Sequence, residues 1–183
     1  AKEDLRRRFL LQRDSLDKRE RRRLSEMIQE RVISLDEFRS CKSIGNYSAI
    51  GSEVDTSMIA RYSLLHGKSL AYPRIIDSST MEFRLVRDTS LDLVVGRYSI
   101  LEPLYSCEYI EPELLIVPAI VWDEEGYRIG YGKGYYDRYL ARYDNALSIG
   151  LAYDFQVLSS IPRTSNDVKV DMIITEKRIV YTD

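Results

Sequence analysis

Leu114-Leu115-Ile116-Val117-Pro118-Ala119-Ile120-Val121-Trp122 is the longest apolar run in the 183-residue chain. Rich in branched residues and without polar alternation, it has the pattern of a strand covered on both faces. A central strand is therefore predicted over 114–121. Toward the amino end, 43–50 reads as a strand, 56–65 as a helix and 69–75 as a second strand. Thr56 is a candidate N-cap for that helix and Gly67 a stop signal. These three form a βαβ unit.

Further back, Leu5, Phe9 and Leu16, then Leu24, Met27, Ile28, Val32 and Leu35, recur near helical spacing, so two amphipathic helices should open the chain. The alternating stretch 81–86 is expected at the sheet edge, before a turn-rich connection through Gly96 and Pro103. On the carboxyl side come Asp123-Glu124-Glu125-Gly126, a glycine-spaced loop, a tyrosine-rich helix over about 135–143, and strands over 147–153 and 172–175. This alternation predicts an α/β fold: one three-layer sandwich domain over 1–183, with a mostly parallel central sheet, helices on both faces, and ligands at the carboxyl ends of the strands.

The totals narrow the function. A hydrophobic content of 44% suits a globular domain. The apolar run is far short of the about 20 residues that span a bilayer. The amino end is charged from its second residue and lacks a signal peptide's apolar core, and the chain has two cysteines, Cys41 and Cys107; a cytoplasmic protein without membrane attachment is the expectation. With a single histidine, His66 beside Gly67, zinc and iron–sulfur sites lack a ligand set, and His66 reads as a helix-end residue. A net charge of −2 gives no general case for nucleic acid. Arginines crowd the first thirty positions, but Asp4, Asp14, Asp17, Glu20, Glu26 and Glu30 lie among them as i,i+4 partners, which favours solvated helix faces over a polyanion-binding arm.

Chemistry concentrates in Gly126-Tyr127-Arg128-Ile129-Gly130-Tyr131-Gly132-Lys133-Gly134-Tyr135-Tyr136-Asp137-Arg138. Alternating Gly130, Gly132 and Gly134 allow positive φ angles and bring N–H groups close to an anion. Lys133 adds a point charge, and the helix that follows points its positive end at the same place. Together these make a phosphate cradle, although a tight strand-to-helix connection needs the same glycines. It is neither familiar cradle: the P-loop needs Ser or Thr after Gly-Lys, and the dinucleotide fingerprint needs its third glycine one place later. Asp137, in the first turn of the helix, could hold magnesium on the phosphates or simply favour the helix N-terminus.

These residues resemble the 5-formyltetrahydrofolate cyclo-ligase family, also called methenyltetrahydrofolate synthetases. The likeness runs through Lys2-Glu3-Asp4-Leu5-Arg6, Glu53-Val54-Asp55-Thr56, the block 117–138, Val170-Asp171 and Thr175-Glu176. It implies a ligase of one-carbon metabolism that closes 5-formyltetrahydrofolate to 5,10-methenyltetrahydrofolate, releasing ADP and phosphate, with ATP as co-substrate and magnesium as cofactor. ATP contacts are implied at Lys2, Glu3, Asp4, Leu5 and Arg6, and at Arg128, Ile129, Gly130, Tyr131, Gly132, Lys133, Gly134, Tyr135 and Tyr136. Folate contacts are implied at Arg6, Ile50, Glu53 and Asp55, and at Tyr131, Gly132, Lys133, Gly134 and Tyr135. By the same resemblance Arg6 and Lys133 are expected to carry the catalytic charge, and Asp137 and Asp171 match the magnesium positions.

The carboxylate at Glu53 or Asp55 has a physical reason, since it can accept from a pterin's amino and N–H donors in bidentate fashion. Tyr153 reads equally as an aromatic wall or a core residue. Two departures stand out: Asn166-Asp167 where many members have a histidine before the aspartate, and Tyr131 at a variable loop position. Partners are then reduced folate and ATP, with no nucleic acid or membrane, in a monomer. The rival readings are a non-catalytic folate- or nucleotide-binding relative on the same scaffold, and a nucleic-acid-binding arm.

Overall fold

A computed structural model describes all residues, 1–183. The helices are α1 (Lys2–Asp14), α2 (Lys18–Ser34), α3 (Asp36–Ser40), α4 (Ser57–Leu65) and α5 (Tyr135–Arg142). The first strands are β1 (Ser43–Gly45), β2 (Ser69–Ile75), β3 (Met81–Leu85), β4 (Leu93–Val95), β5 (Leu101–Pro103), β6 (Tyr109–Ile110) and β7 (Leu114–Val117). Then come β8 (Val121–Asp123), β9 (Arg128–Ile129), β10 (Leu147–Leu151), β11 (Val157–Leu158), β12 (Met172–Ile174) and β13 (Ile179–Tyr181).

The main sheet runs β13-β12-β10-β7-β1-β2-β3-β6. Its five central strands, from β12 to β2, are parallel, while β13, β3 and β6 join antiparallel. The α/β sandwich read from the sequence is the observed fold. One face packs Leu24, Ile28 and Val32 of α2, Phe38 of α3 and Ile59 of α4 over Ile44, Ile116, Ile149 and Ile174. The other packs Tyr135, Tyr139 and Leu140 of α5 over Ala71, Phe83, Leu115 and Ile173. From β1 the chain continues to β2 on one side, and from β7 to β10 and β12 on the other, so strand order reverses at the β1–β7 boundary. In open α/β sheets the crevice at that boundary is where ligands sit.

The predicted strand over 114–121 is two strands. Proline has no N–H for the ladder, so β7 stops at Val117. Past Pro118 the chain leaves the main sheet, and β8 joins β9 and β11 in a separate three-stranded sheet. Ile120 N–H already donates to Ile129 O, at 2.8 Å. Phe9 of α1 packs on this small sheet with Ile120, Val121, Ile129 and Ile161.

Three other expectations change. The first strand ends at Gly45 rather than near residue 50, because the chain folds back: the Thr56 hydroxyl donates to Tyr47 O and Asn46 Nδ2 to Thr56 O. Thr56 is thereby spent and does not cap α4; the Asp55 carboxylate takes the Ser57 N–H and hydroxyl instead. The strand over 81–86 lies one place in from the edge, with β6 outside it. Gly67, at φ +72°, does follow the helix end, with His66 at the C-cap.

Strand β10 passes so close to Trp122 that a Cβ on Gly150 would clash with the buried indole. Neither the ring nor the strand, paired on both sides, has room to yield. Gly150→Ala is expected to cost about 1–3 kcal/mol from overpacking. An unchanged denaturant midpoint in this variant would show that the contact is looser than the backbone implies.

Candidate active site

A cavity of about 720 Å³ opens at the carboxyl ends of β1, β2 and β7, at the strand-order reversal. Pro73 and Ile75 of β2 and Met81 of β3 line it, and its other walls come from four places. Segment 47–53, after β1, supplies Tyr47, Ser48, Ile50 and Glu53; the strand break supplies Pro118 and Ala119. The hairpin of β4 and β5 supplies Tyr98, Ile100, Leu101 and Glu102. Arg128, Ile129, Gly130, Tyr131, Gly132, Lys133, Gly134, Tyr135, Tyr136 and Asp137 form the fourth wall, with Lys2 and Arg6 reaching in from α1.

The glycine loop owes its shape to two of its three glycines. Gly132 and Gly134 have φ +93° and +72°, a region costly for other residues, whereas Gly130 does not need its freedom. Arg6 lies over this loop: its Nε donates to Gly130 O at 2.6 Å, and its guanidinium would stand 3.5 Å from a Cβ on Gly132. The Lys133 ammonium faces the Tyr98 ring, 5.3 Å from its centroid. Arg138 Nη2 donates to Lys133 O at 2.6 Å, which pins the loop to α5.

Charge is arranged in pairs around the rim. Buried Arg128 reaches Asp137 Oδ1 at 3.3 Å and Val168 O at 3.2 Å. Burial depresses its pKa, and the carboxylate of Asp137 works the other way. Lys2 Nζ is 2.8 Å from Asp167 Oδ2. Burial alone would raise the Asp167 carboxyl, but Lys2 and the Thr164 N–H more than offset it, so this group ends below the usual range.

The structure gathers most of the residues the sequence singles out and leaves some apart. Glu3 pairs with Arg6 and Asp4 with Arg7 on exposed turns of α1, while Leu5 packs toward the small sheet; none of the three lines the cavity. Asp55 caps α4 and also lies off the wall. Tyr153 is a core residue, its hydroxyl donating to Ser52 O at 3.0 Å. Asp171 does not join Asp137: it sits at the amino end of β12, where its carboxylate accepts from Ser148 N at 2.8 Å and from Ser148 Oγ. Asp167, which the sequence marks only by its missing histidine neighbour, lines the cavity instead. Tyr98 and Glu102 also line it and escape a reading of the sequence, because nothing in a turn-rich stretch announces which strand end it will cover. Along α1 and α2 exposed arginines pair with acidic neighbours, as in Arg7–Asp4, Arg22–Glu26 and Arg23–Glu20.

Glu53 has the most unusual environment. It is 9% exposed, and burial pushes its pKa from 4.5 to about 7, against the Ile50 N–H and the Arg13 charge, which pull it down. Its Oε1 accepts the Ile50 N–H at 2.8 Å. Between pH 4.5 and 7 the folded chain keeps a proton that the unfolded chain has released, so stability is full below 4.5 and falls as pH rises to about 7. The fall amounts to roughly 3 kcal/mol. Glu53→Gln keeps an acceptor for Ile50 and removes the titration. It should melt above the unsubstituted protein at pH 8 and lose that advantage at pH 4.5. Parallel melting curves across this range would mean that Glu53 is already ionised in the folded chain.

Fold and cavity define an α/β protein with a cavity at the carboxyl edge of a mostly parallel sheet, lined by basic groups and by a buried carboxyl. The chain belongs to the 5-formyltetrahydrofolate cyclo-ligase family, a family of enzymes, whose sequence model matches residues 1–176. It is 32% identical to the mitochondrial 5-formyltetrahydrofolate cyclo-ligase of Arabidopsis thaliana, over 91% of this chain and 70% of that one. It is 29% identical to a probable 5-formyltetrahydrofolate cyclo-ligase of Schizosaccharomyces pombe, over 84% of each. The structure of the Aquifex aeolicus 5,10-methenyltetrahydrofolate synthetase superposes with a TM-score of 0.88 at 37% identity, covering 98% of this chain and 92% of that one. No helix of the chain is long and apolar enough to cross a membrane.

Proposed function

We propose that this chain uses ATP to convert 5-formyltetrahydrofolate into 5,10-methenyltetrahydrofolate, releasing ADP and phosphate. The observation that carries this reading is that one cavity is lined by the Lys133 glycine loop, Arg6 and Glu53 together. Loop N–H groups, Lys133 and Arg6 suit a triphosphate. Glu53 suits the amino and N–H donors of a reduced pterin, and their approach offsets the cost of ionising it in a buried site.

The formyl oxygen on N5 attacks the γ-phosphate in line and becomes a phosphate ester on an N5 iminium carbon. N10 then closes onto that carbon, gives up its proton, and phosphate leaves. Such a transfer asks for positioning and charge neutralisation rather than a nucleophilic side chain. Arg6 ties α1 to the loop and Lys133 meets the charge on the transferred group. Tyr98 lies over the lysine, and Tyr47, Ile50 and Pro118 give the cavity apolar wall that would limit water around a bound folate.

Magnesium is implied by the family resemblance, and the donor set bears on it. No group of three or more Asp, Glu, His or Cys side chains converges, so the protein offers no cage of its own. Asp137 and Asp167 do line the cavity, and Asp137 Oδ1 accepts the N–H of Val168, the residue after Asp167. Two carboxylates beside a triphosphate fit magnesium, which takes one or two of them and completes its shell with phosphate oxygens and water. When bound, it would neutralise the charge shared between the β- and γ-phosphates.

The test is spectroscopic. The full chain, given 5-formyltetrahydrofolate, ATP and magnesium, should raise the absorbance of the methenyl product, and omitting any one of the three should stop it. Product formed without ATP, or none with everything present, would overturn the reading.

A further inference from the structure

The side chain of Arg13 is 1% exposed, and every one of its partners is neutral. Its Nε donates to Ser52 Oγ at 2.8 Å, Nη1 to Ala119 O at 3.3 Å and Nη2 to the Tyr131 hydroxyl at 3.0 Å. Its nearest carboxylates, Asp14 through the Ser52 hydroxyl and Glu53 through space, make no direct contact, so burying this guanidinium is expensive, and an apolar side chain would pack α1 against the small sheet more cheaply. Helix packing therefore does not account for an arginine at this position.

Two of the three contacts, Ala119 and Tyr131, line the cavity, and the third, buried Ser52, lies between Ile50 and Glu53, which also line it. Ala119 belongs to the strand break, where the Gln156 amide also donates to its carbonyl at 3.2 Å. Tyr131 is the residue between the first two loop glycines, and its ring is otherwise exposed. Arg13 lies two turns along α1 from Arg6, which grips the same loop at Gly130. A planar group with donors in a fixed fork sets the spacing of three acceptors in a way that a flexible ammonium cannot.

We propose that Arg13 is a positioning residue: through Tyr131 it holds the glycine loop at a fixed distance from the Ile50–Glu53 wall, so that the two ligands meet in reacting geometry. This rests on the function proposed above for the same cavity. A misplacement of about 1 Å at such a site can cost about 10²-fold in rate. The neutral contacts also leave the guanidinium's charge free to act on Glu53, whose ionised form it favours against the effect of burial.

Two conservative variants of the full chain test this. Tyr131→Phe keeps the ring and removes the hydroxyl from a partly exposed loop, so the fold is retained; Arg13→Lys keeps the charge and loses the fork. Each is expected to lower kcat/KM for the reduced folate about tenfold, and the double variant to fall no more than about twofold below the weaker single, because both break one tether. Losses that multiply to about 100-fold, or single variants with unchanged kcat/KM and only a lowered melting temperature, would overturn the proposal. A second readout needs neither turnover nor the arginine variant. Trypsin should cut after Lys133 several-fold faster in Tyr131→Phe than in the unsubstituted chain, since release from Arg13 frees the loop. Equal cutting rates would also overturn it, whereas a chain that makes no methenyl product while showing faster cutting would sink the proposed function and leave the tether standing.

Discussion

Replacing Lys133 with alanine is expected to lower kcat by about 10²-fold or more while the protein stays folded. The magnitude is that of losing one preorganised group aimed at charge developing in the transition state. The fold should survive because the exposed side chain packs no core, and the bond that pins this part of the loop uses the lysine's backbone carbonyl, which alanine retains. Gly132 and Gly134 keep their conformations for the same reason, their positive φ angles being independent of the residue between them. KM for ATP should change less than kcat, since Arg6, Lys2 and the loop N–H groups remain to hold the ground-state triphosphate. A folded variant with near-normal kcat would remove Lys133 from the chemistry and leave the cradle a mere connection between β9 and α5.

The contrast between what is legible in the sequence and what is not follows from how the information is stored. Ile116, Val117 and their neighbours announce a central strand because burial on both faces imposes a continuous apolar pattern. Gly132 and Gly134 announce a special turn because almost no other residue takes those angles. Pro118 is also legible in principle, as a residue that cannot continue a ladder, yet its apolar neighbours conceal the break.

Helix α1 shows a subtler limit. Apolar spacing marks Leu5, Phe9 and Leu16 as inward, and they do pack on the small sheet and the main core, but Lys2, Arg6 and Arg13 turn inward beside them. A hydrophobicity pattern cannot see these three basic residues: Lys2 and Arg6 line the cavity, and Arg13 is held by Ser52, Ala119 and Tyr131. Glu53 is similar. Its burial comes from the chain folding back through Thr56 and Tyr47, a tertiary event with no local signature.

The carboxylates near the end of the chain supply the second large expectation. Asp167→Asn should raise the magnesium concentration needed for half-maximal activity by about tenfold, in line with the loss of one of the two carboxylates that such a site uses. Asp171→Asn should leave that concentration unchanged and instead lower stability, because Asp171 closes the amino ends of β10 and β12 through Ser148. The two aspartates are near neighbours in sequence, yet the intervening chain passes from the cavity rim, where Val168 N–H meets Asp137, to the amino end of β12. Sequence order alone could therefore nominate either one. Lys2 bears on the same carboxylate, since its ion pair with Asp167 helps hold that group ionised. Lys2→Met should leave the ligand in place but let it take up a proton at a higher pH than before, so the magnesium requirement should begin to climb earlier on acidification. The assignment is decided by titrating magnesium against both aspartate variants. A shift confined to Asp171→Asn would put the metal at the amino end of β12, away from the cavity rim, and dismantle the paired role of Asp137 and Asp167.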